Sequence, residues 1–226
     1  MTTTLITGGN KGLGLETARR LIQAGHTVYA GMRDLASGDA VRALGAHAVQ
    51  LDVTDQASVD AALARLPELD VLVNNAGIIG GARTVAELNA EVMLRTFDTN
   101  VFGIVRVTQA ALPLLRRSPN PVIVNVASGV GWPRYLLDPS HDEFPITAVP
   151  YASSKAAVIT LTVQYAKDLP EMRVNATDPG YTATDLNRHI GHQTVTEGTD
   201  ATVALAMVDR SGPTGEFHDR TGRIAY

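Results

Sequence analysis

The stretch Thr7-Gly8-Gly9-Asn10-Lys11-Gly12-Leu13-Gly14 decides the fold class of this chain. It follows a short apolar run, Leu5-Ile6, and precedes a helical pattern of apolar residues at Leu15, Ala18, Leu21 and Ile22. Glycines between a strand and a helix let the backbone approach a pyrophosphate, and the helix N-terminus favours its charge. The spacing differs from the usual Gly-x-Gly-x-x-Gly fingerprint, so alone it also fits a simple glycine turn. Its place after the first strand favours nucleotide binding.

The remainder of the chain alternates short apolar runs with helical patterns. The runs are Leu5-Ile6, Val28-Tyr29-Ala30, Val49-Gln50-Leu51, Val71-Leu72-Val73, Val122 to Val126, and the neighbourhood of Val174. Consecutive apolar positions are typical of parallel strands covered on both faces. Long helices are predicted from Asn100 to Leu115 and from about Ala152 to Leu169. The pattern predicts an α/β fold in one domain over residues 1–226, an open parallel sheet with helices on both faces.

Composition narrows the possible partners and compartments. Apolar residues form 45% and charged residues 19% of the 226 residues, which indicates a globular chain rather than a disordered one. The net charge of −4 and the lack of a dense Lys/Arg run predict no nucleic-acid or membrane partner. The chain has no cysteine, which excludes disulfides and thiolate catalysis. The first residues lack the pattern of a signal peptide, so we expect a cytoplasmic protein.

Tyr151-Ala152-Ser153-Ser154-Lys155 is the strongest catalytic motif. A tyrosine and a lysine four residues apart on a helix share one face. A nearby ammonium is expected to lower the phenol pKa from about 10 toward neutrality, a change of roughly 4 kcal/mol. A phenol of that kind can transfer a proton at physiological pH. Together with a dinucleotide site, this motif predicts hydride transfer.

Polar and charged residues follow several of the predicted strands. Arg33 ends the second strand, where an arginine accommodates the 2′-phosphate of NADP and an acidic residue binds the ribose of NAD. With Lys11 nearby it favours NADP, although both cations could simply be solvated and Asp34 could neutralise one. Asn74-Asn75-Ala76-Gly77 and Ser128 also end strands, where a crevice at the switch point of a sheet would use them. Each of them alone is equally typical of an ordinary turn.

Three further patterns have weaker interpretations. His189 and His192 could share a helix face, but no third ligand stands at a useful spacing, so we predict no metal site. A triad of Ser128, His141 and an acid is conceivable, but no Gly-x-Ser-x-Gly surrounds Ser128. Residues 132–150 contain four prolines, which argue against a regular helix and predict a loop covering the site. A surface excursion without a role is the alternative.

These motifs, in this order, resemble the short-chain dehydrogenase/reductase family. The pattern covers essentially the whole chain: Thr7 to Gly14, Asn74 to Gly77, Asn100, Ser128, Tyr151-x-x-x-Lys155 and Pro179-Gly180. The glycine loop and the insertion before Tyr151 are most similar to the carbonyl-reductase branch. The resemblance implies a Rossmann-type doubly wound sheet of about seven parallel strands and a nicotinamide cofactor, NADP(H).

The resemblance also implies roles for individual residues. Tyr151 would be the general acid, Ser128 would bind the substrate carbonyl, Lys155 would hold the nicotinamide ribose, and Asn100 would anchor a water for proton relay. Asp52 would contact the adenine, Asn75 the adenosine ribose, and Thr182 and Thr184 the carboxamide and phosphate end. The implied catalytic residues are Asn100, Ser128, Tyr151 and Lys155. The implied cofactor-binding residues are Gly8, Asn10, Lys11, Gly12, Leu13, Gly14, Arg33, Asp52, Val53, Asn75, Ala76, Gly77, Tyr151, Lys155, Pro179, Gly180, Thr182 and Thr184.

The function expected from these residues is NADPH-dependent reduction of a ketone, aldehyde or quinone, or the reverse alcohol oxidation. The alternative is a regulatory protein that senses NADP(H) without turnover, since fold alone does not separate the two. The substrate is expected to be a small carbonyl or alcohol. Monomer and homo-oligomer both remain open, because the insertion could cover a helix that relatives use for assembly. An apolar substrate pocket, or ordinary packing beneath a loop, is indicated by Tyr135, Leu136, Leu137, Phe144, Ile146 and Tyr181.

Overall fold

A single mixed sheet forms the centre of the computed structural model, which describes residues 1–82 and 84–225. Within these residues the sheet has eight strands in the order β3-β2-β1-β4-β5-β6-β7-β8. The first seven run parallel, and β8 pairs antiparallel with β7. The strands are β1 Thr3–Thr7, β2 Thr27–Met32, β3 His47–Gln50, β4 Val71–Asn74, β5 Val122–Val126, β6 Arg173–Thr177, β7 Phe217–Asp219 and β8 Gly222–Ile224.

Helices cover both faces of this sheet. They are α1 Gly12–Gln23, α2 Asp39–Ala43, α3 Gln56–Leu63, α4 Ala90–Phe97, α5 Gly103–Leu115, α6 Pro133–Leu137, α7 Val149–Asp168, α8 Val195–Gly198 and α9 Asp200–Ala206. A π-helical turn, Asp98–Phe102, joins α4 to α5 without interruption. The predicted helices over 100–115 and 152–169 therefore form, although each one begins earlier than the sequence pattern indicates.

Two apolar layers hold the helices to the sheet. Successive side chains of a strand point to opposite faces, and β1 illustrates this with Leu5 and Ile6, both fully buried. Leu5 packs in a layer with residues of α3 and α5, while Ile6 packs in a layer with residues of α1 and α9. Because both faces are covered, every residue of β1, β4 and β5 is buried. This confirms the doubly wound Rossmann-type architecture.

The direction of strand order reverses at β1, which lies between β2 and β4. In open α/β sheets, ligands bind outside the carboxyl ends of the strands at such a switch point. The glycine-rich stretch follows β1, and Asn75 follows β4, so both lie at this edge of the sheet. The topology therefore brings the two motifs together across the switch point.

Two details of the fold differ from the sequence predictions. The sheet has an eighth, antiparallel strand, because β7 and β8 are three-residue strands whose polar residues give no apolar run. The expectation that four prolines keep residues 132–150 free of regular helix was wrong for α6. Pro133 and Pro150 stand in the first turns of α6 and α7, where the missing N–H costs no hydrogen bond.

Candidate active site

A cleft of about 530 Å³ lies at the carboxyl ends of the strands. Of the predicted cofactor-binding residues, all except Gly180 and Thr182 line it. Thr182 is buried behind the cleft wall and donates its hydroxyl to the Pro179 carbonyl at 2.8 Å. Tyr151 and Lys155 line the same cleft, whereas Asn100 and Ser128 are not among its lining residues. The fold thus gathers residues from the whole length of the chain into one site.

The glycine loop packs against the backbone of its own neighbours. Gly12 opens α1 in the left-handed region, with φ of +52°. A Cβ on Gly14 would lie 2.6 Å from the Asn75 amide nitrogen and would overlap the Gly8 carbonyl. Glycine at position 14 therefore lets α1 begin directly beneath the cleft, where its free N–H groups favour an anion.

We expect Gly14→Ala to lower the free energy of unfolding by about 1–3 kcal/mol, the usual cost of overpacking. Urea unfolding followed by circular dichroism measures this change. Gly77→Ala is the matched control, since a Cβ there would meet its nearest neighbour at 3.5 Å, an ordinary contact. Equal stability of the two variants would contradict the close packing of α1 on the glycine loop.

Asn75 fastens the glycine loop to β4. Its side-chain amide donates to the carbonyls of Thr7 and Gly8 at 2.9 and 3.1 Å. The backbone N–H groups of Asn75 and Ala76 both donate to the Thr7 hydroxyl at 3.0 Å. The side-chain amide of Asn75 therefore bonds to the protein's own backbone. Thr7, which the site prediction left out, accepts the two backbone N–H groups that complete this connection.

Asn100 lies in the π-helical turn between α4 and α5, a feature that often marks functional sites. Its side chain accepts from the Ile78 N–H at 2.8 Å and donates to the Ile78 carbonyl at 2.9 Å. It also donates to the Ser154 hydroxyl at 2.9 Å. Asn100 therefore ties the loop after β4 to α7, the helix that carries Tyr151 and Lys155.

Tyr151 and Lys155 lie on the same face of α7, one turn apart. The Lys155 ammonium nitrogen is 5.5 Å from the centre of the Tyr151 ring and donates to the Val126 carbonyl at 2.6 Å. The Ser128 hydroxyl faces the Tyr151 phenol and lowers its pKa. The end of β5 and the start of α7 therefore bring two hydroxyl groups and one amine together beside the cleft.

The electrostatics of this group differ from the sequence prediction. Burial raises the pKa of Tyr151 to about 12, although the Ser128 hydroxyl acts in the opposite direction and lowers this pKa. Burial also lowers the pKa of Lys155 to about 8. The expected lowering of the Tyr151 pKa is therefore wrong for this structure, because removal from water disfavours the phenolate and weakens the cation that was expected to stabilise it.

The two cations predicted to select the cofactor, Lys11 and Arg33, both line the cleft. Lys11 forms an ion pair with Asp185 at 3.0 Å across the cleft. Arg33 is exposed and makes no hydrogen bond or ion pair with any other residue that the structure describes. Asp34 accepts the Ala36 N–H at 2.8 Å, so its carboxylate caps the following turn. Among these charges, Arg33 is the cation left open toward the cleft.

A family comparison settles the class to which this arrangement belongs. The family model described as short chain dehydrogenase matches residues 2–195. The chain is a member of the short-chain dehydrogenase/reductase family. This membership makes it an oxidoreductase that uses a nicotinamide cofactor, and it confirms the resemblance stated from the motifs.

Relatives match almost the full length of the chain. "Short-chain dehydrogenase/reductase 1" of Saponaria officinalis is 34% identical, covering 96% of this chain and 93% of the relative. (+)-Neomenthol dehydrogenase of Capsicum annuum is 30% identical, covering 96% and 95%. The solved structure of NADPH-bound carbonyl reductase from chicken fatty liver has a TM-score of 0.87 at 26% identity, covering 100% of this chain and 98% of that one.

In this short-chain dehydrogenase/reductase, the apolar pocket expected from the segment before Tyr151 and from Tyr181 stays a prediction. None of Tyr135, Leu136, Leu137, Phe144, Ile146 and Tyr181 lines the cleft. The Leu137 side chain is 78% exposed, and Tyr135 stacks on His141 with ring centres 3.8 Å apart. Apolar lining of the cleft includes residues outside the predicted cofactor-binding set: Met32, Leu51, Ile78, Ile79 and Leu186.

The same segment reaches the site through a carboxylate. The Glu143 carboxylate lies against Gly129, the residue after Ser128, and Asp142 pairs with His192 at 3.3 Å. His141 lies near Asp138 and Glu143, at 4.0 and 3.9 Å, and Ser128 has Tyr151 as its partner. These contacts do not assemble the alternative triad around Ser128. They place the segment next to the loop that carries Ser128.

The described residues contain neither a metal-binding cluster nor a membrane-spanning helix. No group of three or more His, Asp or Glu side chains there is arranged to hold a metal ion. Across residues 1–82 and 84–225, no helix combines the length and the apolar character that a membrane crossing requires.

Proposed function

We propose that this enzyme uses NADPH to reduce the carbonyl group of a small ketone, aldehyde or quinone, or catalyses the reverse oxidation of an alcohol. The observation that carries the proposal is the Tyr151 phenol at the cleft, 5.5 Å from the Lys155 amine by its ring centre and faced by the Ser128 hydroxyl. Two hydroxyl donors at one point suit a carbonyl oxygen that becomes an alkoxide. The names of the relatives, carbonyl reductase and neomenthol dehydrogenase, describe the same chemistry in those proteins.

The residues around the cleft fit a dinucleotide. The N-terminus of α1, with Gly12 and Gly14, offers backbone N–H groups to a pyrophosphate. Asp52 and Val53 line the far end together with Arg33, where an adenosine would lie. Lys155 and Pro179 line the opposite end, close to Tyr151. When bound, NADPH supplies the hydride, and the residues described below hold the substrate and move the proton.

Tyr151 is the proton donor in this proposal. Because burial raises its pKa to about 12, the phenol retains its proton throughout the physiological range and is ready to donate it. The protonated phenol is the form that donates to the developing alkoxide, and the phenolate is the form that accepts the proton in the reverse oxidation. Ser128 donates to the developing alkoxide, and Lys155 lies one turn away on α7.

Preference for NADP over NAD rests mainly on Arg33 in this structure. Lys11 is engaged by Asp185 at 3.0 Å, whereas the Arg33 guanidinium is open toward the cleft. A guanidinium binds phosphate oxygens through charge-assisted hydrogen bonds. Arg33 is therefore the residue that we expect to bind the 2′-phosphate.

We expect Arg33→Ala to weaken NADPH binding about 10- to 100-fold, the worth of hydrogen bonds to a charged group. NADH, which lacks the 2′-phosphate, should bind with little change. Fluorescence titration of both cofactors measures the two dissociation constants. Arg65→Ala is the matched control, because Arg65 is exposed and lies outside the cleft. An equal loss of affinity for both cofactors would contradict the assignment.

A carbonyl panel tests the proposed reaction itself. NADPH oxidation is followed by absorbance with aldehydes, ketones and quinones, and the alcohol product is identified by chromatography. We expect the enzyme to reduce at least one member of the panel and to form one alcohol or quinol for each NADPH consumed. Tight NADPH binding without oxidation on the whole panel would favour a cofactor sensor instead.

A further inference from the structure

Asp178 joins two strand ends at the active site. It follows β6 directly, is only 5% exposed, and accepts the Gly180 N–H at 2.9 Å through its carboxylate. The same carboxylate lies against Gly129, whose backbone N–H lowers its pKa. Its own backbone N–H donates to the His218 carbonyl at 2.7 Å, which anchors it to β7. One buried carboxylate therefore spans the loops that follow β5 and β6.

The two N–H groups that face the Asp178 carboxylate belong to Gly129 and Gly180, each next to a residue of the candidate site. Gly129 follows Ser128, and Gly180 follows Pro179, which lines the cleft. A Cβ on Gly129 would overlap the Glu143 carboxylate and would lie 2.7 Å from the second oxygen of Asp178, so glycine leaves room for both carboxylates. The loop that carries Ser128 is thus built to accept the carboxylate closely.

Charged and titratable groups face Asp178 from three elements. Tyr151 and Lys155 approach from α7, Glu143 and Tyr135 from the segment before α7, and Asp219 from β7. Burial raises the pKa of Asp178 to about 6, the two N–H groups lower it, and Glu143 and Asp219 raise it. The carboxylate opposes the effect of burial on Lys155 by raising its pKa.

We propose that Asp178 is a positioning residue for the reduction. Its charged carboxylate holds the loop that carries Ser128 and the loop that carries Pro179 in fixed positions relative to each other. This rests on the proposed function. Protonation weakens the charge-assisted hydrogen bond to Gly180 and the attraction to the Gly129 N–H, so the Ser128 hydroxyl is less well placed for the substrate. The Asp178 charge also raises the pKa of Tyr151, and protonation of Asp178 removes this effect. It is the smallest of the causes that shift the Tyr151 pKa. Loss of positioning therefore dominates, and activity falls below about pH 6.

Asp178→Asn tests the role, because the amide keeps the size of the side chain and removes its charge. We expect kcat for NADPH-dependent reduction at pH 7.5 to fall about tenfold, the worth of one hydrogen bond to a charged group. The dissociation constant for NADPH should change less. The decisive readout is the pH profile: the acid limb of the wild-type enzyme disappears in the variant. Asp209→Asn is the matched control, since Asp209 caps an exposed turn with Ser211 outside the cleft.

Glu143→Gln supplies a second test that leaves Asp178 intact, in case the first variant does not fold. Removal of a neighbouring negative charge should move the acid limb to lower pH. An acid limb that stays in place in either variant, while the wild-type enzyme turns over, would overturn the role of Asp178 alone. A wild-type enzyme that reduces no carbonyl would overturn the proposed function and this role with it.

Discussion

Replacement of Tyr151 with phenylalanine is expected to lower kcat for carbonyl reduction by about 10²- to 10⁴-fold, the range for removal of a general acid. The variant keeps the aromatic ring, which lies 5.5 Å from the Lys155 amine, and removes only the hydroxyl that Ser128 contacts. NADPH binding should therefore change little. Steady-state kinetics and a fluorescence titration of NADPH measure the two effects separately.

Tyr165→Phe is the matched control for this experiment. Tyr165 lies on the same helix, α7, and is partly buried against the core outside the cleft. It makes no side-chain hydrogen bond within the described part of the chain. The control should retain full activity. A Tyr151→Phe enzyme with activity within tenfold of the wild type would show that another group, or solvent, delivers the proton.

Ser128→Ala is expected to lower kcat by about 10²- to 10³-fold, the usual cost of losing one donor to an oxyanion. The Ser128 side chain caps no helix, since the turn Gly129–Gly131 that it precedes has no side-chain cap hydrogen bond. Replacement of Ser128 by alanine therefore removes a hydroxyl donor that does not stabilise a helix end. The variant also loses the hydroxyl that lowers the Tyr151 pKa, which makes the phenol a weaker acid.

Ser153→Ala controls for the loss of a hydroxyl near the site, because Ser153 follows Tyr151 by two residues and lies outside the cleft. Substrate kinetics should show the loss for Ser128→Ala mainly in kcat, as expected for an interaction made in the transition state. An increase in KM with an unchanged kcat would mean that Ser128 only binds the substrate in its ground state.

Local patterns in the sequence predicted the parts of the fold that depend on one segment. The glycine spacing from Gly8 to Gly14 predicted the turn between β1 and α1, which the structure confirms. The four-residue spacing of Tyr151 and Lys155 placed both on one face of α7. By contrast, β7 and β8 are too short and too polar to show a period. Pro133 was misinterpreted because the sequence did not show that it begins a helix.

The features that sequence patterns missed depend on contacts between distant segments. The ion pair between Lys11 and Asp185 joins residues far apart in the chain, so Lys11 could not be distinguished from a free cation. The pKa of Tyr151 depends on burial, which only the packed structure defines. Asp178 precedes Pro179-Gly180 and gave no signal of its own, yet it is buried between two loops of the site.

The most direct test follows the transferred hydrogen itself. NADPH that carries deuterium in place of the transferred hydrogen is mixed with a carbonyl that the enzyme reduces, and the alcohol is analysed by mass spectrometry and NMR in a single turnover. We expect the wild-type enzyme to place deuterium on the former carbonyl carbon. The Tyr151→Phe enzyme, with NADPH bound, should do so at least about 10²-fold more slowly. Equal rates for the two enzymes, or an alcohol without deuterium, would contradict this expectation.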